Sequence, residues 1–175
     1  MNNRINIVLF GIGNVGSALI NKVLKERKGL ALDNKIDLRF PVITNSSVAF
    51  FEKEGVNFSW EANFIQFGIP FKMEDVLHYL HANNISNLIA VDASGDDSLP
   101  LDYTKLLKSG FNVVSVNKNA TGLPASFKDE VKLAASVHGL EALFLGTPKD
   151  SRGEIVKKLY EALLEVAEKQ KKLAA

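Results

Sequence analysis

The chain has 175 residues, enough for one domain with a sizeable core. Its 21 basic and 20 acidic residues nearly cancel, so its charge gives no reason to expect nucleic acid or an anionic membrane as a partner. It contains no cysteine, which excludes disulfides, thiol catalysis and cysteine-ligated metals.

Hydrophobic periodicity predicts strands alternating with helices along most of the chain. The run from Ile5 to Phe10 is typical of a buried strand, and helical spacing of apolar residues begins at Asn14. Gly29 and the segment after it are expected to end this helix. The later strands are predicted over residues 36–44, 88–92, 113–116 and 140–145, and the later helices over 60–67, 73–83, 101–109 and 127–137. This alternation predicts an α/β fold, a doubly wound parallel sheet with helices on both faces.

The last 28 residues differ from the rest. In "PKDSRGEIVKKLYEALLEVAEKQKKLAA", Ile155, Leu159, Leu163 and Val166 share one helical face, and Lys and Glu fill the other. Ser151 and Glu154 have the spacing of a capping box. We therefore divide the chain into a domain over 1–147 and a bridge with an added amphipathic C-terminal helix over 148–175. The helix has the regularity of an engineered one, and a natural Lys/Glu-rich terminal helix is the alternative.

Three glycines stand where the first strand passes into the first helix. The segment "GIGNVG", Gly11 to Gly16, matches GxGxxG in the strand–turn–helix setting that gives the motif its meaning. Gly11 would allow a tight turn, Gly13 would let a diphosphate approach the backbone, and Gly16 would let helix and strand pack closely. The helix N-terminus would then face the phosphates. The motif predicts a dinucleotide site, and a plain turn with incidental glycines is the alternative.

The second strand ends without the acidic residue that usually binds the ribose of NAD. Asn45 and Ser46 occupy that place, and neutral polar groups can bond a ribose hydroxyl without repelling a 2′-phosphate. No arginine follows directly to bind such a phosphate. This favours NAD over NADP but leaves NADP open, and Asn45 and Ser46 could instead serve only to form a turn.

Two later segments carry a family resemblance. "VDASGDDS" follows one buried strand, and "VVSVNKNA" ends the next. With the glycine loop and the Asn-Ser step, their order and spacing resemble the N-terminal NAD(P)-binding, Rossmann-type domain of homoserine dehydrogenases. The likeness runs from about Arg4 to Thr147.

The resemblance implies roles for individual residues. Lys118, near the nicotinamide, would be catalytic, because the lysine of this motif points into the active site in the family. The remaining cofactor-binding positions would be Gly11, Gly13, Asn14, Val15, Gly16, Asn45, Ser46, Ala93, Ser94 and Asn117.

The resemblance also implies a missing part. In the family a large substrate-binding domain follows the last strand, whereas here "ALFLGT" leads at once to Pro148 and the tail. We therefore expect a truncated oxidoreductase domain that binds NAD or NADP without turnover alone. The alternatives are a redesigned Rossmann scaffold or interaction module, self-associating through its tail helix, and a small nucleotide sensor.

The sequence gives no sign of a targeting signal, a membrane segment or a metal site. Its first residues lack the pattern of a signal peptide, and no apolar run reaches the roughly 18 residues of a membrane span. We therefore expect a cytoplasmic protein without a membrane partner. His78 and His81 are three apart, but no third ligand is evident, so no metal is predicted.

Overall fold

The computed structural model describes residues 2–174 of the chain, and this part forms seven strands and seven α-helices. The strands are β1 (Asn3–Phe10), β2 (Ile36–Thr44), β3 (Val48–Phe51), β4 (Ile69–Pro70), β5 (Leu88–Asp92), β6 (Phe111–Ser115) and β7 (Ala142–Phe144). The helices are α1 (Asn14–Asn34), α2 (Trp60–Phe67), α3 (Met73–Ala82), α4 (Tyr103–Lys108), α5 (Lys118–Thr121), α6 (Ala125–Val137) and α7 (Arg152–Ala174). A 3₁₀ turn, Leu99–Asp102, leads into α4.

The strands form one sheet in the order β4-β3-β2-β1-β5-β6-β7. β2, β1, β5, β6 and β7 pair in parallel, which confirms the predicted doubly wound α/β fold. The hairpin of β3 and β4 adds an antiparallel edge beside β2. Four-residue and two-residue strands are too short to show a periodicity of their own, so the sequence did not reveal this edge.

Each face of the sheet has its own hydrophobic layer, because successive side chains of a strand point to opposite faces. Ile5, Ile7 and Leu9 of β1 belong to a cluster with α1, α2 and α7, whereas Val8 and Phe10 belong to one with α3, α4 and α6. Both faces of β1 are therefore covered. This explains why its sequence is a continuous apolar run and not an alternating one.

The first helix continues past Gly29. α1 passes through Gly29 and ends at Asn34, and Lys35 follows it in the left-handed conformation with φ of 58°. A glycine inside a helix costs only about 1 kcal/mol relative to alanine. Leu30, the residue after Gly29, is buried against the core, and burial of a leucine side chain contributes about 1.5–3 kcal/mol. For this reason the helix ends in the segment after Gly29 and not at Gly29 itself.

The C-terminal helix packs on the sheet and on α1. Leu159, Leu163 and Ala167 of α7 are fully buried in the cluster that also contains the α1 core. The capping box forms, since the Ser151 N–H donates to Glu154 Oε2 at 3.3 Å and the Glu154 N–H to Ser151 Oγ at 3.2 Å. Lys171 Nζ donates to the main-chain oxygen of Asn34 at 2.8 Å, which joins the ends of α7 and α1.

Residues 2–174 contain neither a membrane-spanning helix nor a cluster of side chains suited to a metal ion. No helix in this part of the chain has both the length and the apolar character needed to cross a membrane. No group of three or more His, Cys, Asp or Glu side chains lies within it in an arrangement that could hold a metal ion. His78 and His81 are both on α3.

Because Leu163 is fully buried between α7 and the rest of the core, we expect Leu163→Ala to lower the free energy of unfolding by about 2–5 kcal/mol. Leu173 is 76% exposed on the same helix, so Leu173→Ala serves as the matched control and should change stability by less than about 0.5 kcal/mol. Urea unfolding followed by circular dichroism measures both values. Equal, small effects of the two variants would contradict the docking of α7.

Candidate functional site

The strand order reverses direction at β1. The chain passes from β1 through α1 to β2 on one side, and the later strands β5, β6 and β7 extend from the other. In open α/β sheets, ligands bind beyond the carboxyl ends of the strands at such a switch point. The glycine loop, residues 11–16, lies at this point because it directly follows β1.

Two of the three glycines are required by the packing of the protein itself. Gly11 has φ of +100°, and a Cβ there would lie 2.7 Å from the main-chain oxygen of Ala93. A Cβ on Gly16 would lie 1.9 Å from the main-chain oxygen of Gly11. Gly11 therefore lets the loop approach the main chain after β5, and Gly16 lets α1 approach the main chain of the loop.

Gly13 is different, because the protein leaves open space beside it. Within the described residues, no atom other than its own chain neighbours and helix backbone lies within 4 Å of the position a Cβ would take. Its φ of −70° is open to any L-residue. The fold alone gives no reason for a glycine here, whereas a ligand that approaches the backbone would.

Gly13 is also the N-cap of α1, where main-chain N–H groups lack helical partners. No side chain in residues 2–174 caps this helix, and its first turn contains no acidic residue. The N–H groups and the positive end of the helix dipole are therefore left for an anion. The residues present fit the diphosphate of a dinucleotide.

Beside the loop lies a cleft of about 430 Å³, which we call the glycine-loop cleft. It is lined by Phe10, Gly11, Ile12, Gly13, Thr44, Asn45, Ser46, Phe71, Ala93, Ser94, Gly95, Asp96 and Leu99. Most of the lining follows the ends of β1, β2 and β5, so the sheet fixes the position of the cleft. Its volume lies in the range of small-molecule sites, roughly 300–1,000 Å³.

The polar end of β2 forms one wall of this cleft. Asn45 Oδ1 accepts hydrogen bonds from the main-chain N–H groups of Ser47 (2.9 Å) and Val48 (2.7 Å), which makes the turn into β3. Asn45 therefore does form a turn. The Nδ2 of Asn45 and the exposed hydroxyl of Ser46 take no part in these bonds and are polar groups that a ligand could use.

The opposite wall of the cleft, formed by residues 93–96, contains a charged side chain. Of the described residues that line it, only Asp96 is charged. Hydrogen bonds from the Ser98 hydroxyl and main-chain N–H, both at 2.7 Å, lower the pKa of Asp96 below its ordinary value. Asp96 is therefore an anion at neutral pH.

A buried polar network lies beneath this wall. The Asp92 carboxylate, 2% exposed, accepts hydrogen bonds from Ser94 N–H and Oγ, from Tyr103 OH and from Asn117 Nδ2. Tyr103 OH also pairs with Ser115 Oγ at 2.7 Å. Burial and the nearby Asp92 carboxylate raise the pKa of Tyr103, so its hydroxyl stays a donor. These bonds make the buried carboxylate tolerable.

Lys118 borders a second cleft of about 290 Å³, the Lys118 cleft. Lys128 also lines it, with Val116, Phe144 and Ile155 as apolar walls. Lys118 is exposed, and within residues 2–174 its ammonium group forms no salt bridge. A free cation beside an apolar wall could polarise a carbonyl group.

The structure brings part of the predicted site together. The cofactor-binding candidates in the glycine-loop cleft are Gly11, Gly13, Asn45, Ser46, Ala93 and Ser94. Asn14, Val15 and Gly16 form the first turn of α1 beside it. Asn117 is fully buried below the surface, and Lys118 lies in the second cleft.

Sequence reasoning missed several lining residues, among them Phe71, Asp96 and Leu99. Asp96 and Leu99 sit in the turn-rich segment after β5, whose position after a buried strand was a usable signal. Phe71 comes from the segment between β4 and α3, and nothing in its local sequence places it there.

The switch-point loop, the uncapped helix and the cleft together define a dinucleotide-binding domain of the Rossmann type. The chain belongs to the homoserine dehydrogenase family, since residues 11–144 match the family described as "Homoserine dehydrogenase, NAD binding domain". The class of cofactor is therefore a nicotinamide dinucleotide.

Curated relatives and solved structures agree with this assignment. The chain is 28% identical over 129 residues to the bifunctional aspartokinase/homoserine dehydrogenase of Haemophilus influenzae, covering 73% of this chain and 16% of the relative. It superposes on a homoserine dehydrogenase of S. aureus with a TM-score of 0.62 at 18% identity, over 83% of this chain and 33% of that one. It superposes on a hyperthermophilic archaeal homoserine dehydrogenase in complex with NADPH with a TM-score of 0.61 at 22% identity, over 81% of this chain and 44% of that one.

The two solved structures support the fold. The chain spans about one-sixth of the length of the first curated relatives it matches.

Because Gly13 has open space beside it, we expect Gly13→Val to leave the fold intact and to weaken NADH binding at least about tenfold, or 1.4 kcal/mol. The new side chain would occupy the place where the diphosphate approaches the backbone. Isothermal titration measures the affinity, and thermal unfolding checks the fold.

Gly29→Val is the matched control, since Gly29 also has open space and lies on α1 away from the cleft. It should bind NADH as the unchanged protein does. Unaltered NADH affinity in Gly13→Val would show that the loop does not hold the diphosphate.

Proposed function

We propose that the chain binds NAD(H) along the carboxyl edge of the sheet, with the adenosine half in the glycine-loop cleft and the nicotinamide directed toward the Lys118 cleft. The observation that carries this proposal is the open space at Gly13 on an uncapped helix N-terminus. That arrangement suits a diphosphate and has no use within the fold.

The main-chain N–H groups of Gly13, Asn14, Val15 and Gly16 would hold the diphosphate, helped by the dipole of α1. Gly11 and Gly16 contribute by letting the backbones approach. Ala93 and Ser94 would line the groove along which the dinucleotide runs, and Ser94 is fixed there by its two hydrogen bonds to Asp92.

The negative charge of Asp96 in the cleft lining should make NAD bind more tightly than NADP. Asn45 Nδ2 and Ser46 Oγ can bond the hydroxyls of the adenosine ribose. A 2′-phosphate would bring further negative charge into a cleft whose charged lining residue among those described is the anion Asp96. Since no lysine or arginine lines the described cleft to offset that charge, the unphosphorylated cofactor should bind more tightly.

The reaction we propose is that named for the relatives, a homoserine dehydrogenase step. When bound, the nicotinamide would supply or accept the hydride. Lys118 would hold its ammonium group near the oxygen of the reacting carbonyl and stabilise the negative charge that develops there. Asn117 would support Lys118 from below, as the N-cap of the short helix that Lys118 begins.

We further propose that this chain binds the cofactor without turning over homoserine by itself, because it corresponds to about one-sixth of the curated relatives. An assay of homoserine oxidation with the purified chain tests this point, and measurable turnover would refute it.

Titration of the purified chain with NADH and NADPH tests the binding proposal directly. We expect saturable heat with one equivalent of NADH and a weaker affinity for NADPH, for the electrostatic reason given above. No heat and no rise in melting temperature with either cofactor would refute it, since a ligand that binds the native state must stabilise it.

An added cation should reverse the preference. Ser46 is exposed at the cleft, so we expect Ser46→Arg to tighten NADPH binding by about tenfold, through a charge-assisted pair with the 2′-phosphate, with little change for NADH. Ser47→Arg is the matched control, because Ser47 is the exposed neighbour outside the cleft lining. If both variants gain equally, the gain reflects general charge and not a ribose site at Ser46.

A further inference from the structure

The wall of the glycine-loop cleft and the helix of Lys118 are joined by hydrogen bonds. Residues 93–96 line the cleft, and Lys118 is the first residue of α5, which borders the other cleft. The pairing of β5 with β6 places Asp92 opposite Ser115, so the segments after these two strands run side by side.

Asn117 makes the first part of this link. It is fully buried, and its Nδ2 donates to Asp92 Oδ2 at 3.0 Å and to the main-chain oxygen of Asp96 at 2.8 Å. Its Oδ1 accepts from the Asn119 N–H at 3.0 Å and caps α5. Both amide donors and the amide oxygen of Asn117 are therefore bonded within the protein. Asn117 can affect a ligand only through the residues it contacts.

Asn119 makes the second part. Its side chain is on the exposed side of α5, and its Nδ2 donates to the main-chain oxygen of Gly95 at 2.9 Å. A helix of four residues has little stability of its own, so bonds to its surroundings decide where it sits. Here those bonds run to the loop that lines the neighbouring cleft.

We propose that Asn117 and Asn119 are positioning residues that fasten the Lys118 helix to the wall of the glycine-loop cleft, so that a nucleotide bound in that cleft fixes the position of Lys118. This inference rests on the proposed function. A ligand against residues 93–96 restrains the acceptors on Gly95 and Asp96, and the two asparagines pass that restraint to α5.

ADP is the probe, because it carries the adenosine and the diphosphate and has no nicotinamide to reach the Lys118 cleft. Hydrogen–deuterium exchange with mass spectrometry, with and without saturating ADP, reports on the amides of residues 118–122. We expect ADP to slow their exchange at least about threefold in the unchanged protein, since local opening of α5 becomes rarer.

Asn119→Ala should bind ADP with an affinity within about threefold of the unchanged protein and lose most of that slowing. Asn119→Asp keeps the shape and removes the donor to Gly95, so at saturating ADP it should also lose the slowing, although its added negative charge weakens ADP binding. Asn83→Ala is the matched control: Asn83 also donates one hydrogen bond to a main-chain oxygen, that of Tyr79, away from both clefts. It should keep the full ADP effect.

A purely structural role for Asn119 would change the basal exchange of α5 and leave the ADP-dependent difference in place, and this result would overturn the inference. So would an absence of any ADP effect in a protein that binds NADH. If NADH itself does not bind, the proposed function fails, and the inference fails with it.

Discussion

The close approach of three main-chain segments at the end of β1 is the constraint on which the rest of the site depends. Gly16 lies against Gly11, and Gly11 lies against Ala93 and Ser94. A single methyl group at either glycine would separate α1 from the sheet or the loop from β5. Because both contacts hold, the glycine loop and the end of β5 line one cleft, in which the backbone of Gly13 is uncovered.

Near this contact, a buried carboxylate joins several segments at the carboxyl edge of the sheet by hydrogen bonds. Asp92 accepts hydrogen bonds from residues of three segments, the loop after β5, helix α4 and the turn after β6. Removing any one partner would leave part of a buried charge unpaired, which is costly. The exposed side chains of Ser46 and Lys118 are not part of this network, so the ligand contacts proposed for them would leave its hydrogen bonds unchanged.

The fold could be predicted further than the site. Apolar runs located the parallel strands, because strands covered on both faces need them, and the regular spacing of α7 located its buried face. The β3–β4 edge could not be seen, since its strands depend on tertiary pairing and not on local pattern. Gly11 and Gly16 could be explained from the motif alone. The hydrogen bonds of the buried Asn117 side chain could not be predicted, because they depend on the strand register that places Asp92 beside Ser115.

The described chain begins and ends near the same corner of the molecule. The Asn3 N–H donates to the main-chain oxygen of Lys35, and Lys171 bonds the adjacent Asn34. β1 then runs from Asn3 to Phe10, roughly 25 Å at about 3.3 Å per residue, before it reaches the glycine loop. A tag, a linker or a neighbouring module attached at either terminus would therefore emerge from the pole opposite the clefts.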